Sequence, residues 1–300
     1  SYLLTGGERT TESLQRIAPG EIAAYERFSA DMQRIADVLR QLVLRAPPHI
    51  VEGLSRKALR ESLNAASTAN ILRRLSAADR QLLLDMLAGS AGDMLDDRFS
   101  NDLVKALFGF DAVVGNFASP YAAGSAYVML HHAFGEVNGV HGLWGHAIGG
   151  MGAITTALAA EARSHGVEII TDAAVSRVTS RDGRASGIVL QDGSEITART
   201  VIGNLNPKLL SLHLVAAKDL EPDFVARMQG WRCASGSFRM NVALAELPDF
   251  TARPGTNAQP HHSSGIIIGP SLDYLDRAWS DARADGMSRE PVVEILIPST

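Results

Sequence analysis

The 300-residue sequence predicts a mixed α/β protein, and three observations support this fold class. Apolar residues recur every three or four positions through residues 11–110, which is the period of an amphipathic helix. Short apolar runs interrupted by Asp-Gly pairs follow within residues 167–203, and such pairs favour tight hairpins. From about residue 210 onward, apolar and polar side chains alternate as in half-buried strands. At about 150 residues per domain, the length predicts two domains.

The first third of the chain is predicted to be helical. A long amphipathic helix covers residues 21–44 and ends before Pro47. A third helix begins at Ser76, whose side chain can cap it, and Ser100 is expected to cap a helix over residues 102–108. A second helical stretch runs through Leu54, Leu59 and Leu63. The residues predicted to form the buried face of the third helix are Leu82, Leu83, Met86 and Leu87.

Residues 112–160 differ sharply in composition from the rest of the chain. Glu136 is their only Asp, Glu, Lys or Arg, whereas the average content would place about ten such residues there. The segment also concentrates glycine, histidine and aromatic residues. This mixture suits a cavity wall, and composition alone gives equal weight to an ordinary core crossing between domains.

The remainder of the chain is predicted to combine a β-meander, further strands and two helices. Helices are expected over residues 152–165 and 274–284. The predicted strands are Val167–Thr171, Ala174–Thr179, Ala185–Gln191, Glu195–Thr200, Thr200–Gly203, Phe238–Leu244, Gly265–Ile268 and Pro291–Ile297.

Composition excludes several classes of protein. The lone Cys233 cannot form an internal disulfide, so the sequence predicts a reducing, cytoplasmic setting. A net charge of −5 provides no basic footprint for nucleic acid, and we expect no nucleic-acid partner. Stretches of about 18 consecutive apolar residues are missing, so no transmembrane segment is predicted.

Three motifs invite a chemical interpretation. Gly149, Gly150 and Gly152 precede a helix, as in a phosphate-binding loop, but no buried strand leads into them, and close packing is the alternative. His131 and His132 should point to different sides, so no metal site is predicted. The sequence contains no Gly-x-Ser-x-Gly elbow, which disfavours a hydrolase.

Several runs together resemble the phytoene desaturase-like flavoprotein oxidoreductases. They are residues 149–159 (GGMGAITTALA), 166–178 (GVEIITDAAVSRV), 187–193 (GIVLQDG) and 201–207 (VIGNLNP). Two further runs, residues 231–240 (WRCASGSFRM) and 261–268 (HHSSGIII), are similar to the branch named for pyridine nucleotide-disulfide oxidoreductase domain-containing protein 2. The resemblance covers nearly the whole chain.

The resemblance implies an amine-oxidase-like flavoprotein architecture with an incomplete FAD-binding domain. Residues 136–207 would form the middle segment of that domain, with its β-meander. Residues 1–135 and 208–300 would form the helical and sheet parts of a substrate domain. The family's Gly-x-Gly-x-x-Gly turn and ribose-binding acid are missing, so the sequence is expected to be an internal fragment that does not retain FAD and is inactive alone.

In an intact parent, the implied reaction is hydride transfer from a small apolar substrate to FAD. The candidate cofactor-binding residues are Val175, through its backbone, and Gly149, Gly150 and Gly152. Residues 112–160 would wall a chamber beside the flavin, which favours the cavity over the core crossing. The candidate wall residues are Tyr121, His132, Trp144 and His146. No catalytic base is assigned, and a homo-oligomer is possible.

Two other functions stay open at this point. The chain could be a non-enzymatic ligand- or partner-binding module that uses its helical first third as an interaction surface. A nicotinamide-dependent reductase is the other alternative, but it would require its own dinucleotide fingerprint, which this sequence lacks.

Overall fold

The structure is a computed structural model that describes residues 2–47, 55–137, 139–141, 145, 147–233 and 235–300. Its helices are α1 (Glu8–Ile17), α2 (Ile22–Val43), α3 (Arg56–Arg73), α4 (Ala77–Ala88), α5 (Ala91–Asp96), α6 (Asp102–Asp111), α7 (Ser125–His131), α8 (Met151–Ser164), α9 (Pro207–Leu209), α10 (Pro222–Gly230) and α11 (Leu272–Asp285). Its strands are β1 (Glu136–Val137), β2 (Val140–His141), β3 (Val175–Arg181), β4 (Arg184–Leu190), β5 (Glu195–Thr197), β6 (Ile266–Ile268) and β7 (Val293–Ile295). The mixed α/β fold class is confirmed.

The chain divides into two compact units. Unit 1 comprises residues 1–146 and 235–300, and unit 2 comprises residues 147–234. The sheets described are antiparallel: a β1-β2 pair and a β6-β7 pair in unit 1, and a β3-β4-β5 meander in unit 2. The assignment of these units to a substrate domain and part of an FAD domain remains a proposal.

Side-chain caps explain where the helices of unit 1 begin. The predicted cap of α4 is confirmed, because Ser76 Oγ accepts the N–H of Asp79 at 3.0 Å. The predicted cap of α6 is wrong by one residue: Asn101 Oδ1 accepts the N–H groups of Leu103 and Val104. Ser100 instead donates its own N–H to the carboxylate of Glu21, which precedes α2.

The core of unit 1 is formed by one face of each long helix. Phe28 and Ile35 of α2 and Met86 of α4 are fully buried, as the helical period predicts. Leu82 and Leu83 are also buried, but Leu87 is 41% exposed. The helix predicted through Leu59 and Leu63 is confirmed as α3, although both side chains are 64% exposed, and Leu54 lies outside the described residues.

Two close contacts fix helix packing in unit 1. Gly109 of α6 lies directly against Leu272 of α11, where any Cβ would collide with the leucine side chain. The buried hydroxyl of Ser125 donates to the carbonyl of Pro120 at 2.7 Å and accepts the N–H of Ala91 at 2.8 Å. From the first residue of α7, the hydroxyl therefore satisfies two backbone groups: the first N–H of α5 and the carbonyl of Pro120.

Glu21 connects two distant parts of unit 1. Its Oε1 atom accepts the N–H of Ser100 at 2.7 Å and the N–H of Asn101 at 3.0 Å. These donors precede α6, 79 and 80 residues farther along the chain. A carboxylate at this position also interacts favourably with the positive end of the α6 dipole.

The β-meander in unit 2 confirms the prediction from the Asp-Gly pairs. Asp182 and Gly183 have φ values of 51° and 71°, which are the values that a type I′ turn requires at both central positions. Gly187 of β4 lies so close to β5 that a Cβ there would collide with the carbonyl oxygen of Ile196. The turn and the glycine together allow three strands to pair within residues 175–197.

Helix α8 is also where the sequence predicts it, but it buries none of its residues. Its apolar residues Met151, Ile154 and Leu158 are 76%, 46% and 67% exposed. In the same unit, Ile148 and Ile202 are 100% and 90% exposed. These five exposed apolar residues of unit 2, Ile148, Met151, Ile154, Leu158 and Ile202, are called its uncovered apolar surface below.

Three of the predicted strands are wrong. Residues 167–171, 201–203 and 238–244 contain no strand, although their apolar character is typical of one. Phe238, Met240 and Leu244 are more than half exposed. A strand needs a neighbouring strand for its backbone hydrogen bonds, and alternation within one segment does not provide that neighbour. The strands predicted over residues 265–268 and 291–297 are confirmed as the shorter strands β6 and β7, which pair with each other, and the helix predicted between them is confirmed as α11.

Candidate functional site

A glycine turn leads into α8. Gly149 and Gly150 have φ values of 86° and 78°, a left-handed conformation that other residues adopt only with strain. Gly152 lies in the first helical turn, where a Cβ would meet open space. The first N–H groups of a helix have no acceptor within the helix, so this turn offers donors to an anion.

Val175 is the first residue of β3, which lies at the edge of the meander. The carbonyl of Ala174 accepts the N–H of Gln191 at 2.8 Å, so the backbone of Ala174 points toward β4. Backbone groups of successive residues in an antiparallel pair point in opposite directions. The N–H and C=O of Val175 consequently point toward the open edge, although Val175 itself is in register with Leu190.

The phenol of Tyr121, a predicted wall residue, is engaged in a hydrogen bond in unit 1. Its hydroxyl donates to Asp96 Oδ2 at 2.9 Å, and Lys105 Nζ lies 2.6 Å from the other oxygen. Burial and this hydrogen bond raise the pKa of Tyr121 to about 12, while the bond to Lys105 lowers the pKa of Asp96. Tyr121 is therefore a hydrogen-bond donor and not a base at neutral pH.

His132, the second wall residue that the structure describes, lies against His131. The two ring centroids are 4.1 Å apart, so the prediction that these side chains point to different sides is wrong. The reason is that α7 ends at His131 and a 3₁₀ turn begins at His132. Both rings donate from Nδ1 to the carbonyl of Val128, at 2.5 Å and 3.0 Å.

An acidic group that sequence analysis did not single out lies close to this histidine pair. Burial raises the pKa of Asp111 to about 6; the charge of His131 opposes that rise and Glu294 adds to it. These residues belong to α6, α7 and β7 of unit 1. The available sequence signal was an aspartate directly after the apolar run Ala106–Phe110, at the end of a helix where a negative charge is unfavourable.

The structure places the predicted site residues in two groups. Tyr121 and His132 lie in unit 1, and Gly149, Gly150, Gly152 and Val175 lie in unit 2. Trp144 and His146 lie outside the described residues.

Within the described part of the chain, no group of three or more His, Cys, Asp or Glu side chains could hold a metal ion. None of the helices described there combines the length and hydropathy needed to cross a bilayer.

Comparison with known proteins places the chain in a family. The model of flavin containing amine oxidoreductases matches residues 1–235. The chain belongs to this family of flavin oxidoreductases, and its mixed α/β fold with small antiparallel sheets is described above.

Individual relatives agree with this assignment. The chain is 33% identical to pyridine nucleotide-disulfide oxidoreductase domain-containing protein 2 of Rattus norvegicus over 300 residues, which is 96% of this chain and 51% of the relative. It is 28% identical to the neurosporene-forming phytoene desaturase of Rhodobacter capsulatus over 63% of this chain and 31% of that enzyme. A 4,4'-diapolycopene oxygenase of Methylomonas is 36% identical over 67% of this chain and 36% of its own length. The chain thus spans about half the length of the rat relative.

Proposed function

We propose that this chain forms the middle part of an FAD-dependent oxidoreductase that removes a hydride from a small apolar substrate. The observation that carries the proposal is the outward-facing backbone of Val175 at the start of an edge strand, in a chain that belongs to a flavin oxidoreductase family. When bound, the isoalloxazine ring of FAD supplies the electron-accepting chemistry. The residues of this chain that are discussed below would bind the cofactor and orient it.

The residues of unit 2 fit a dinucleotide. One backbone donor and one acceptor at Val175 match the donor and acceptor that an adenine edge presents. The apolar side chain packs elsewhere, and β-branching stabilises the extended conformation that aims the two groups. Gly149, Gly150 and Gly152 would place helix N–H groups near the negatively charged part of the cofactor.

The uncovered apolar surface of unit 2 supports the proposal that further chain completes the cofactor domain. Its members lie on α8 and on the segments at residues 148 and 202, all within unit 2. The chain spans 51% of the rat relative, so a longer parent has the length to cover this surface. We therefore propose that this chain alone does not retain FAD and is inactive.

An apolar substrate is supported by the near absence of charge in residues 112–160. Of the residues proposed to wall the substrate chamber, the structure describes Tyr121 and His132. Tyr121 would act only as a hydrogen-bond donor, because its pKa is raised to about 12. We assign no side chain as a catalytic base. The cytoplasmic setting and a homo-oligomer stay predictions.

Flavin content tests the first part of the proposal. The purified 300-residue chain should be colourless after gel filtration, whereas a longer parent that carries a Gly-x-Gly-x-x-Gly turn should show the flavin absorbance band. Stoichiometric flavin in the 300-residue chain would show that the additional segments are dispensable.

Two substitutions in the longer parent test Val175. Val175→Pro removes the N–H donor at an edge position where proline is tolerated, and should lower flavin content about tenfold. Val175→Ala keeps the donor and should leave flavin content unchanged. Equal flavin content in folded Val175→Pro protein would contradict the backbone contact.

A further inference from the structure

A second feature of unit 2 is an open groove at the turn between β3 and β4. The groove has a volume of about 800 Å³. Its lining includes Arg181, Arg184 and Arg199 together with three small residues, Ala185, Ser186 and Ala198. Arg181 and Val175 are the two ends of β3, so the groove lies about 20 Å along the strand from the proposed adenine contact.

The charges around this groove do not balance. Arg181 and Arg184 are direct cross-strand partners, and two like charges in such a pair destabilise a sheet. Asp182 is the only acidic residue in the lining. Within the described part of the chain, none of the three arginines forms an ion pair, whereas Arg177 of the same strand lies 4.0 Å from the carboxylate of Glu195.

The groove is suited to a compact anion. Guanidinium groups bind phosphate and carboxylate through two parallel hydrogen bonds, and three such groups can hold more than one anionic centre. The other lining residues include Ala185, Ser186 and Ala198, whose side chains are small. The groove is wide open to solvent, so we expect the arginine charges to contribute most of the affinity for an anion.

We propose that Arg181, Arg184 and Arg199 form a binding site for a small polyanion that carries two or more phosphate or carboxylate groups. The bound anion would offset the repulsion between Arg181 and Arg184 and would stabilise the meander turn. The site does not depend on the proposed flavin chemistry, because it lies at the opposite end of β3 from Val175.

Titration calorimetry with tripolyphosphate and citrate tests the site on the 300-residue chain. We expect saturable one-to-one binding of at least one of these probes, weakened about tenfold or more by Arg184→Gln combined with Arg199→Gln. Arg177→Gln is the matched control, since it removes an exposed arginine from the same sheet outside the groove, and it should leave the affinity unchanged. Circular dichroism verifies that each variant keeps its fold.

The two probes distinguish a phosphate ligand from a carboxylate ligand. Stronger binding of tripolyphosphate assigns the site to a phosphorylated compound, and stronger binding of citrate assigns it to a polycarboxylate. The proposal is overturned if neither probe binds saturably, if the groove variant and the Arg177→Gln control lose affinity equally, or if polyglutamate binds while both small anions fail.

Discussion

Asp111 ends α6 with its carboxyl group largely buried. Burial raises its pKa from 3.8 to about 6, so the folded state holds the proton more strongly than the unfolded chain does. The resulting stabilisation is fully present below about pH 4 and is lost as the pH rises through 6. Above that pH, the buried negative charge costs up to about 3 kcal/mol, and the negative end of the α6 dipole adds to the cost.

Asp111→Asn should therefore stabilise the protein at neutral pH. We expect the free energy of unfolding to rise by about 1–2 kcal/mol at about pH 7.5 and to change little at about pH 4, measured by urea denaturation at both pH values. Asp102→Asn, at the exposed start of the same helix, is the control and should give no gain. A gain of equal size at both pH values would rule out titration as the cause.

The neighbours His261 and His262 are both buried but differ in their hydrogen bonds. His262 accepts the N–H of Gln259 at Nδ1 and donates from Nε2 to the carbonyl of Pro248, each at 3.1 Å. Both ring nitrogens of His261 lack a partner among the described residues, and its ring packs against Phe250. Burial lowers the pKa of His261 below 6.5, with the nearby His262 and Arg253 acting in the same direction.

Replacing each histidine by phenylalanine should give opposite results. His261→Phe removes two unsatisfied polar atoms and should raise the free energy of unfolding by about 1 kcal/mol. It should also reduce the loss of stability that occurs as the pH falls below 6.5, because the native imidazole resists protonation there. His262→Phe should lower the free energy of unfolding by about 1–3 kcal/mol. Equal destabilisation by both changes, measured in the same denaturant series, would contradict this account.

At the scale of elements, the meander depends on a glycine within a strand. Gly187→Ala forces a Cβ against the carbonyl oxygen of Ile196, so β5 must move away from β4. We expect faster hydrogen exchange at the amides of residues 195–197 and a loss of about 2 kcal/mol or more in the meander. Gly193→Ala has a positive φ of 90° but open space, and should cost only about 1 kcal/mol.

Helices were more predictable than strands because their signals are local. The cap of α4 and the apolar period of α2 are both present within the element itself. Residues 201–203 have equally apolar character, yet Ile202 is 90% exposed because no neighbouring strand pairs with it. The Asp-Gly turn succeeded as a prediction because it places the partner strand immediately after itself in the chain.

Two parts of the candidate site could be proposed from the sequence, and their contact with a cofactor stays a prediction. The role proposed for Val175 came from the family resemblance, whereas the glycine turn was visible as a motif before a helix. The Asp111 group and the arginine groove depend on residues that tertiary structure and strand register bring together. Sequence spacing does not reveal the Asp111 group, whereas the pairing of Arg181 with Arg184 follows from the predicted turn, although Arg181-Asp-Gly-Arg184 was interpreted only as a turn.

For the whole molecule, the uncovered apolar surface of unit 2 should govern behaviour in solution. We expect the native chain to bind the dye ANS and to self-associate as its concentration rises, because exposed apolar patches promote both. Leu158→Glu should weaken both effects without loss of stability, since α8 buries no residue. ANS fluorescence and light scattering provide the measurements.

A buried leucine on another helix provides the matched control for Leu158. Leu275 of α11 is 2% exposed, and Leu275→Glu should cost several kcal/mol because it places a charge in the core. If Leu158→Glu is equally destabilising, α8 is covered in solution and the surface is not free.

The carboxylate of Glu21 has a consequence for the order of assembly during folding. The donors to this carboxylate, the N–H groups of Ser100 and Asn101, lie 79 and 80 residues farther along the chain. These hydrogen bonds at the start of α6 can form only after the intervening chain has closed into a loop. We expect these two hydrogen bonds to form late in folding, because the entropy of closing this loop must be overcome first. Removal of the carboxylate should then accelerate unfolding and leave the refolding rate nearly unchanged. Glu21, which precedes α2, would in this way contribute to the kinetic stability of unit 1 by slowing its unfolding.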